Sequence, residues 1–271
     1  MRRLVVVVAV LLVACGILPA HAQTLALNFK SGDTYRYSLH FTATFAVTAT
    51  TTASATQNVK VDAKAKETAT VTNVESDGTA DMSLTFSDLK VTTSGKAPDG
   101  KTTTDTTTQT SAIPPQQLKV APDGRILSVN GENVSAASPF GVLVGGELAY
   151  AVLPDSAVKP GDKWSKSYDQ SQPGARSSVH VTTNSTYLRD ESFHSVNAAV
   201  VETKSNARFT MSFSAQSSML GTVDTDTTSW VDPGARRVLK STSKATLKAT
   251  ITALETGVTI DGTQNMDLEP A

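Results

Sequence analysis

The amino-acid sequence predicts a mainly β protein: a curved antiparallel half-barrel, or incomplete barrel, wrapped on one short apolar helix. Three observations carry that expectation. Long stretches alternate apolar and polar residues with a period of two. Threonine fills 39 of 271 positions, which suits half-buried strands with a solvated outer face. A single segment, 138–153, breaks the alternation and shows helical spacing instead.

Residues 1–22 read as a signal peptide. Arg2 and Arg3 precede the apolar run LVVVVAVLLVA (4–14), which is short for a membrane span, and AHA (20–22) has the form of a cleavage site. Cleavage there starts the mature chain at Gln23 and leaves 22 basic against 25 acidic residues, a formal charge of −3. LVACG (12–16) also resembles a bacterial lipobox, so two outcomes stand. Either Cys15 is an ordinary residue of the leader and the protein is secreted, or Cys15 is acylated and attaches the chain to the envelope membrane. Cys15 is the only cysteine, so no internal disulfide forms. The weakly acidic balance argues against a nucleic-acid partner.

The mature chain, 23–271, reads as one β-rich domain. TYRYSLHFTATFAV (34–47) puts Tyr35, Tyr37, Leu39, Phe41, Ala43, Phe45 and Val47 on one face of a strand about 45 Å long. NVKVDAKAKETATV, from Asn58, continues with a thin face of Val59, Val61, Ala63 and Ala65. A turn at Asp77-Gly78 leads to Ala80, Met82, Leu84 and Phe86; the phase then slips at Ser87 and Asp88, as a β-bulge would make it. Residues 94–115 are polar and Thr-rich, a loop or a loosely held hairpin turning at APDG. QQLKVAPDGRILSVNG then forms two short strands.

SPFGVLVGGELAYAVLP is the expected helix, 138–153. Ser138 caps it and Pro139 suits its first position, with Phe140, Leu143, Val144, Leu148 and Ala151 at helical spacing. Gly145 and Gly146 weaken it by roughly 1 kcal/mol each, so it needs tertiary support. Strands resume with KWSKSY, SSVHVTTNSTYL, SVNAAVVETK and ARFTMSFSA. TVDTDTTSW and RVLKSTSKATLKATITA are joined at VDPGA, and GVTIDGTQNMDLEP closes the chain. In the long RVLK strand, Ser241 and Ser243 share the phase of Leu239, Ala245 and Leu247. NFKSGDTYRYS (28–38) resembles AVKPGDKWSKS (157–167), which divides the domain into two similar halves, about 28–131 and 157–271, flanking the helix. A shared turn type accounts for the match equally well.

LPDSAVKPGDKW (153–164) resembles a motif of an uncharacterised family of bacterial secreted proteins and lipoproteins, in which Leu-Pro, Val-Lys-x-Gly-Asp and Trp keep this spacing. SWVDPGARRVLKST (229–242) is similar to the Trp-x-Asp-Pro hairpin of the bacterial lipoprotein-carrier superfamily. That resemblance implies a half-barrel cupping helices and the carriage of lipidic molecules across the envelope.

No catalytic residues, cofactor or metal site emerge. His40 and His180 fall on polar strand phases, and no nucleophile elbow, P-loop or dinucleotide fingerprint occurs. The expectation is a non-enzymatic protein. One reading has it hold a lipid or other apolar ligand between sheet and helix, lined by Phe45, Phe140, Leu143, Tyr150 and Trp164. The other is a structural or interaction module of the cell surface, its small residues admitting the helix closely around a filled core.

Overall fold

The computed structural model describes residues 22–50, 56–96, 101–108, 114–133, 150–169, 177–214, 216–253 and 256–271. Its strands are β1 (Thr34–Ala49), β2 (Thr56–Val74), β3 (Ala80–Lys96), β4 (Thr102–Thr108), β5 (Gln116–Val120), β6 (Ile126–Val129) and β7 (Glu132–Asn133). After the 150–158 segment come β8 (Lys163–Asp169), β9 (Ser177–Phe193), β10 (Val196–Ser214), β11 (Ser217–Asp232), β12 (Arg237–Ala253) and β13 (Thr256–Pro270). All pair antiparallel in one sheet, in the order β7-β6-β5-β3-β2-β1-β13-β12-β11-β10-β9-β8, with β4 against the far end of β3. The outermost strands, β7 and β8, do not pair with each other, so the sheet is open.

Alternation decides which way each side chain points. In β1, Tyr37, Phe41 and Ala43 are buried while Arg36, Ser38 and Thr44 face solvent. The apolar faces meet because the sheet bends on itself. One cluster joins Val61 and Ala63 of β2 to Phe41 of β1, Met266 of β13, Leu247 of β12, Phe209 of β10, Val179 of β9 and Tyr168 of β8. The bend brings the sheet's two ends into side-chain contact. Lys166 of β8 reaches Asp123, in the β5–β6 turn, with Nζ–Oδ2 at 2.7 Å, and the Arg125 guanidinium lies 4.6 Å from the centre of the Tyr168 ring. Side chains, rather than a strand ladder, bridge this seam.

The expected phase slip is present. Register shifts between Lys64 and Lys66 of β2 opposite β3, where Asp88 takes φ +55° and its carboxylate accepts Lys66 at 2.8 Å. The polar 94–108 region is a hairpin, β4 pairing with Lys90–Lys96, although its turn at 97–100 lies outside the described residues. The two Lys-x-Gly-Asp stretches fold alike. The Asp33 amide donates to Lys30 O and the Asp162 amide to Lys159 O, each at 3.0 Å. Gly32 and Asp33 then exchange hydrogen bonds with Val71 of β2, and Gly161 and Asp162 exchange them with Tyr187 of β9. Both turns thus aim the following aromatic, Tyr35 or Trp164, at the interior.

The helix is the correction. Residues 138–149, and with them Phe140 and Leu143, lie outside the described residues, but 150–153 are described and are not helical. Tyr150 sits at a bend, and Ala151–Pro154 are buried without regular secondary structure. Among the described residues the sheet is therefore not wrapped on a helix. Two irregular segments, 23–29 and 150–158, lie in one end of the concavity instead.

Two glycines let rings lie flat on the sheet. Gly262 pairs with Phe45 and Gly221 with Phe209. A β-carbon at Gly262 would overlap the Phe45 ring; at Gly221 it would lie 2.7 Å from Phe209 Cζ and overlap the carbonyl oxygen of Lys248. Gly221→Ala should therefore lower stability by about 1–3 kcal/mol in urea unfolding. Gly95→Ala, whose new carbon would have no atom nearer than 3.7 Å, should change it by less than about 0.5 kcal/mol.

Candidate functional site

The concave interior is the candidate site, and it has three zones. The first is a floor built from 23–29 and 150–158. Gln23 and Val158 exchange backbone hydrogen bonds of 2.7 and 2.9 Å, and the Leu27 amide donates to Pro122 O. Leu25, Ala151 and Leu153 are fully buried against Tyr187, Val201 and Val231. An irregular segment buried this deeply must find partners for its backbone. The Ala151 amide donates to Ser229 Oγ at 2.8 Å and the Val152 amide to Thr203 Oγ1 at 2.9 Å. Val152 O accepts from Trp164 Nε1 at 2.9 Å and from Ser185 Oγ at 3.0 Å. Because Ser185 gives its proton to Val152, Thr203 donates to Ser185 across the 2.7 Å gap between them. The Leu153 amide completes the set on Asp123 O at 2.9 Å.

The second zone is a pair of polar rows on the same concave face. Strand register aligns Ser185, Thr203, Thr227 and Ser243 across β9–β12. The adjacent row runs Thr183, Ser205, Thr225, Ala245, Gln264 and Ala43, from β9 to β1. Thr227 and Ser243 bond each other at 3.0 Å. Gln264 is 1% exposed, and neither its Nε2 nor its Oε1 has a hydrogen-bond partner. The third zone lies past these rows: an apolar wall of Val181, Ala207, Val223 and Leu247, with Phe45, Val61, Ile251 and Ile260 only partly buried.

Beside the floor sits a carboxyl that no cation of the described residues pairs with. Glu67 follows Ala63 and Ala65 in the inward phase of β2 and pairs with Tyr37. Burial pushes its pKa up to about 7. Burial, then Asp33, raises Tyr35 to about 12; burial also raises Tyr37 and Tyr150, each pushed further by the Glu67 charge. The Tyr37 hydroxyl donates to Val238 O at 2.8 Å. The cavity between Phe29, Tyr35, Tyr37, Tyr150 and Arg237 measures about 30 Å³, room for a water and no more.

The residues singled out from the sequence divide between zones. Tyr150 and Trp164 meet in the floor. Phe45 lies beyond the polar rows, over Gly262. Cys15, Phe140 and Leu143 lie outside the described residues. His40 and His180 face outward, 3.4 Å from Asp62 and 2.8 Å from Asp169. Sequence reasoning passed over Glu67 and Gln264, yet each left a signal, a polar side chain in the buried phase of its strand.

No protein-family model and no curated protein matches this chain. Among solved structures, an outer membrane channel from Pseudomonas putida F1 is similar at 9% identity and a TM-score of 0.23, covering 90% of this chain and 97% of that one. A likeness of that size carries no argument about fold or function.

Two outcomes are expected from this geometry. Glu67 binds its proton more tightly folded than unfolded, so its contribution to stability is complete below about pH 4.5 and lost as pH rises through about 7. Glu67→Gln should flatten that decline in urea midpoints measured from pH 4 to 8. At the seam, Asp123→Asn should lose about 1–3 kcal/mol, because it takes the buried carboxylate from both Lys166 and Arg125 and leaves Lys166 with the exposed Asp155. Asp155→Asn, at an exposed carboxylate on the same lysine, should change stability by less than about 1 kcal/mol in the same assay.

Proposed function

We propose that this protein is an exported, non-enzymatic binder that holds an apolar or amphiphilic molecule against the concave face of its sheet. The observation that carries this reading is the third zone. Phe45, Val61, Ile251 and Ile260 point inward yet keep part of their surface uncovered, while the outer face is Thr- and charge-rich. Among the described residues the exposed large hydrophobics are only Leu188 and Leu220. That is the inverse of a membrane barrel, whose apolar band faces outward. Export rests on the leader at 1–22, and attachment to the envelope would follow from acylation of Cys15. The resemblance to lipoprotein carriers points the same way.

A filled structural or interaction module is the second reading, favoured by the tight packing of the floor, where the cavity is about 30 Å³. Native mass spectrometry of protein gently extracted from its own host separates the two. Binding predicts an adduct of lipid mass; a spectrum free of adducts counts against it. Ala63→Leu is the companion variant, since Ala63 lines the cluster only partly buried. On the binding reading it weakens uptake of the dye 1-N-phenylnaphthylamine and leaves the melting temperature little changed. On the filled-core reading wild type takes up no dye, and the variant loses about 1–3 kcal/mol through overpacking.

A further inference from the structure

Gln264 is the least explained side chain in the interior. Its amide is 1% exposed and points into the concave face from β13, and both polar atoms lack a partner. Leaving a buried donor or acceptor unmet costs about 1–3 kcal/mol each. The strand neighbours do not relieve it: Ala43 on β1 and Ala245 on β12 flank it and offer no polar side-chain atom. Both alanines are buried as well, so a partner for the amide has to come from above the sheet face. One row nearer the floor, Thr227 and Ser243 bond each other, and Thr225 continues the polar row from β11.

Resting on the binding reading above, we propose that Gln264 is a headgroup subsite. A carboxamide presents one donor edge and one acceptor edge side by side, so its natural partner carries both: an amide or an un-ionised acid, each able to close two hydrogen bonds. The charge pattern selects against phosphate heads. In the row that holds Gln264, the inward-facing cation is Lys166, five strands from β13, and two carboxylates already hold it, Asp123 at 2.7 Å and Asp155 at 2.6 Å. The ligand class is thus a neutral-headed amphiphile, its head on Gln264 and its chain along the wall past Leu247 toward Ile251.

The test uses the full mature chain and displacement of 1-N-phenylnaphthylamine. Dodecanamide offers donor and acceptor; N,N-dimethyldodecanamide keeps the chain and the acceptor but has no donor. Wild type should bind dodecanamide roughly ten-fold more tightly, the worth of one buried hydrogen bond. Gln264→Leu should erase that preference while still taking up the dye, and ligand-free Gln264→Leu should melt about 2–4 °C higher, since it removes an unmet polar group. Gln264→Met, less demanding in shape, should behave the same way. Equal affinity of wild type for the two amides overturns the subsite while leaving the binding function standing. So does a lower melting point in both variants, which would mean that the amide already has a partner. Absence of dye uptake and of amide binding in wild type overturns the subsite and the binding function together.

Discussion

The structure depends on a buried stretch of backbone that has neither a helix nor a strand ladder to satisfy it. Ala151, Val152 and Leu153 cross the inside of the bent sheet without regular secondary structure. Their amides and carbonyls would be costly orphans there. Ser185, Thr203 and Ser229 supply the missing partners from three neighbouring strands, with Trp164 and the Asp123 carbonyl at the rim. A hydroxyl is small enough to sit among buried valines and can both donate and accept. This explains why the inward phase of β9–β12 interrupts its apolar run with Ser and Thr where the segment lies.

The same requirement shapes the rest of the interior. The floor segment ties the sheet's two ends, because Trp164 on β8 and Asp123 beside β5 both bond it. Lys166 then spans from β8 to the Asp123 carboxylate, so the seam needs no paired strand. A barrel closed by hydrogen-bonded strands has one fixed circumference. One closed by ion pairs and a cation–π contact is held by a few side chains, and the energy of those contacts depends on their burial. Past the floor the wall turns apolar: Val181, Ala207, Val223 and Leu247 are buried, while Phe45, Val61, Ile251 and Ile260 are only partly covered.

Polar residues within this interior fall into two kinds. The hydroxyls of the floor and the Thr227–Ser243 pair have partners, so they act as architecture. Glu67 and Gln264 are held largely away from water, the first with a carboxyl pKa pushed up to about 7 by burial, the second with an unpartnered amide. Glu67 lies beside packed tyrosines and a water-sized space, where its effect is on stability. Gln264 lies where the floor has ended and the apolar wall begins, beyond the reach of the hydroxyl pairs that satisfy the floor.

Much of the fold was legible because strand formation is written in local alternation. RVLKSTSKATLKATITA is β12 from end to end, TYRYSLHFTATFAV lies wholly inside β1, and the slip at Ser87–Asp88 is a bulge. The Lys-x-Gly-Asp similarity marks two turns with matching hydrogen bonds. The expected helix failed where it can be checked, at 150–153, since apolar spacing reports that a segment is buried but is silent on who satisfies its backbone. Ser241 and Ser243 stood out as polar residues in a buried phase; Glu67 and Gln264 carried the same pattern unread, and alternation gives no hint of which such residues find partners.

By itself, then, the sequence determined the strands, their inward and outward faces and their turns, all consequences of contacts within a few residues along the chain. Only the tertiary structure decided what fills the bend, how its open edges meet and which buried polar groups go unmatched. Those outcomes depend on residues such as Val152 and Thr203, or Lys166 and Asp123, that the bent sheet alone brings within hydrogen-bonding distance.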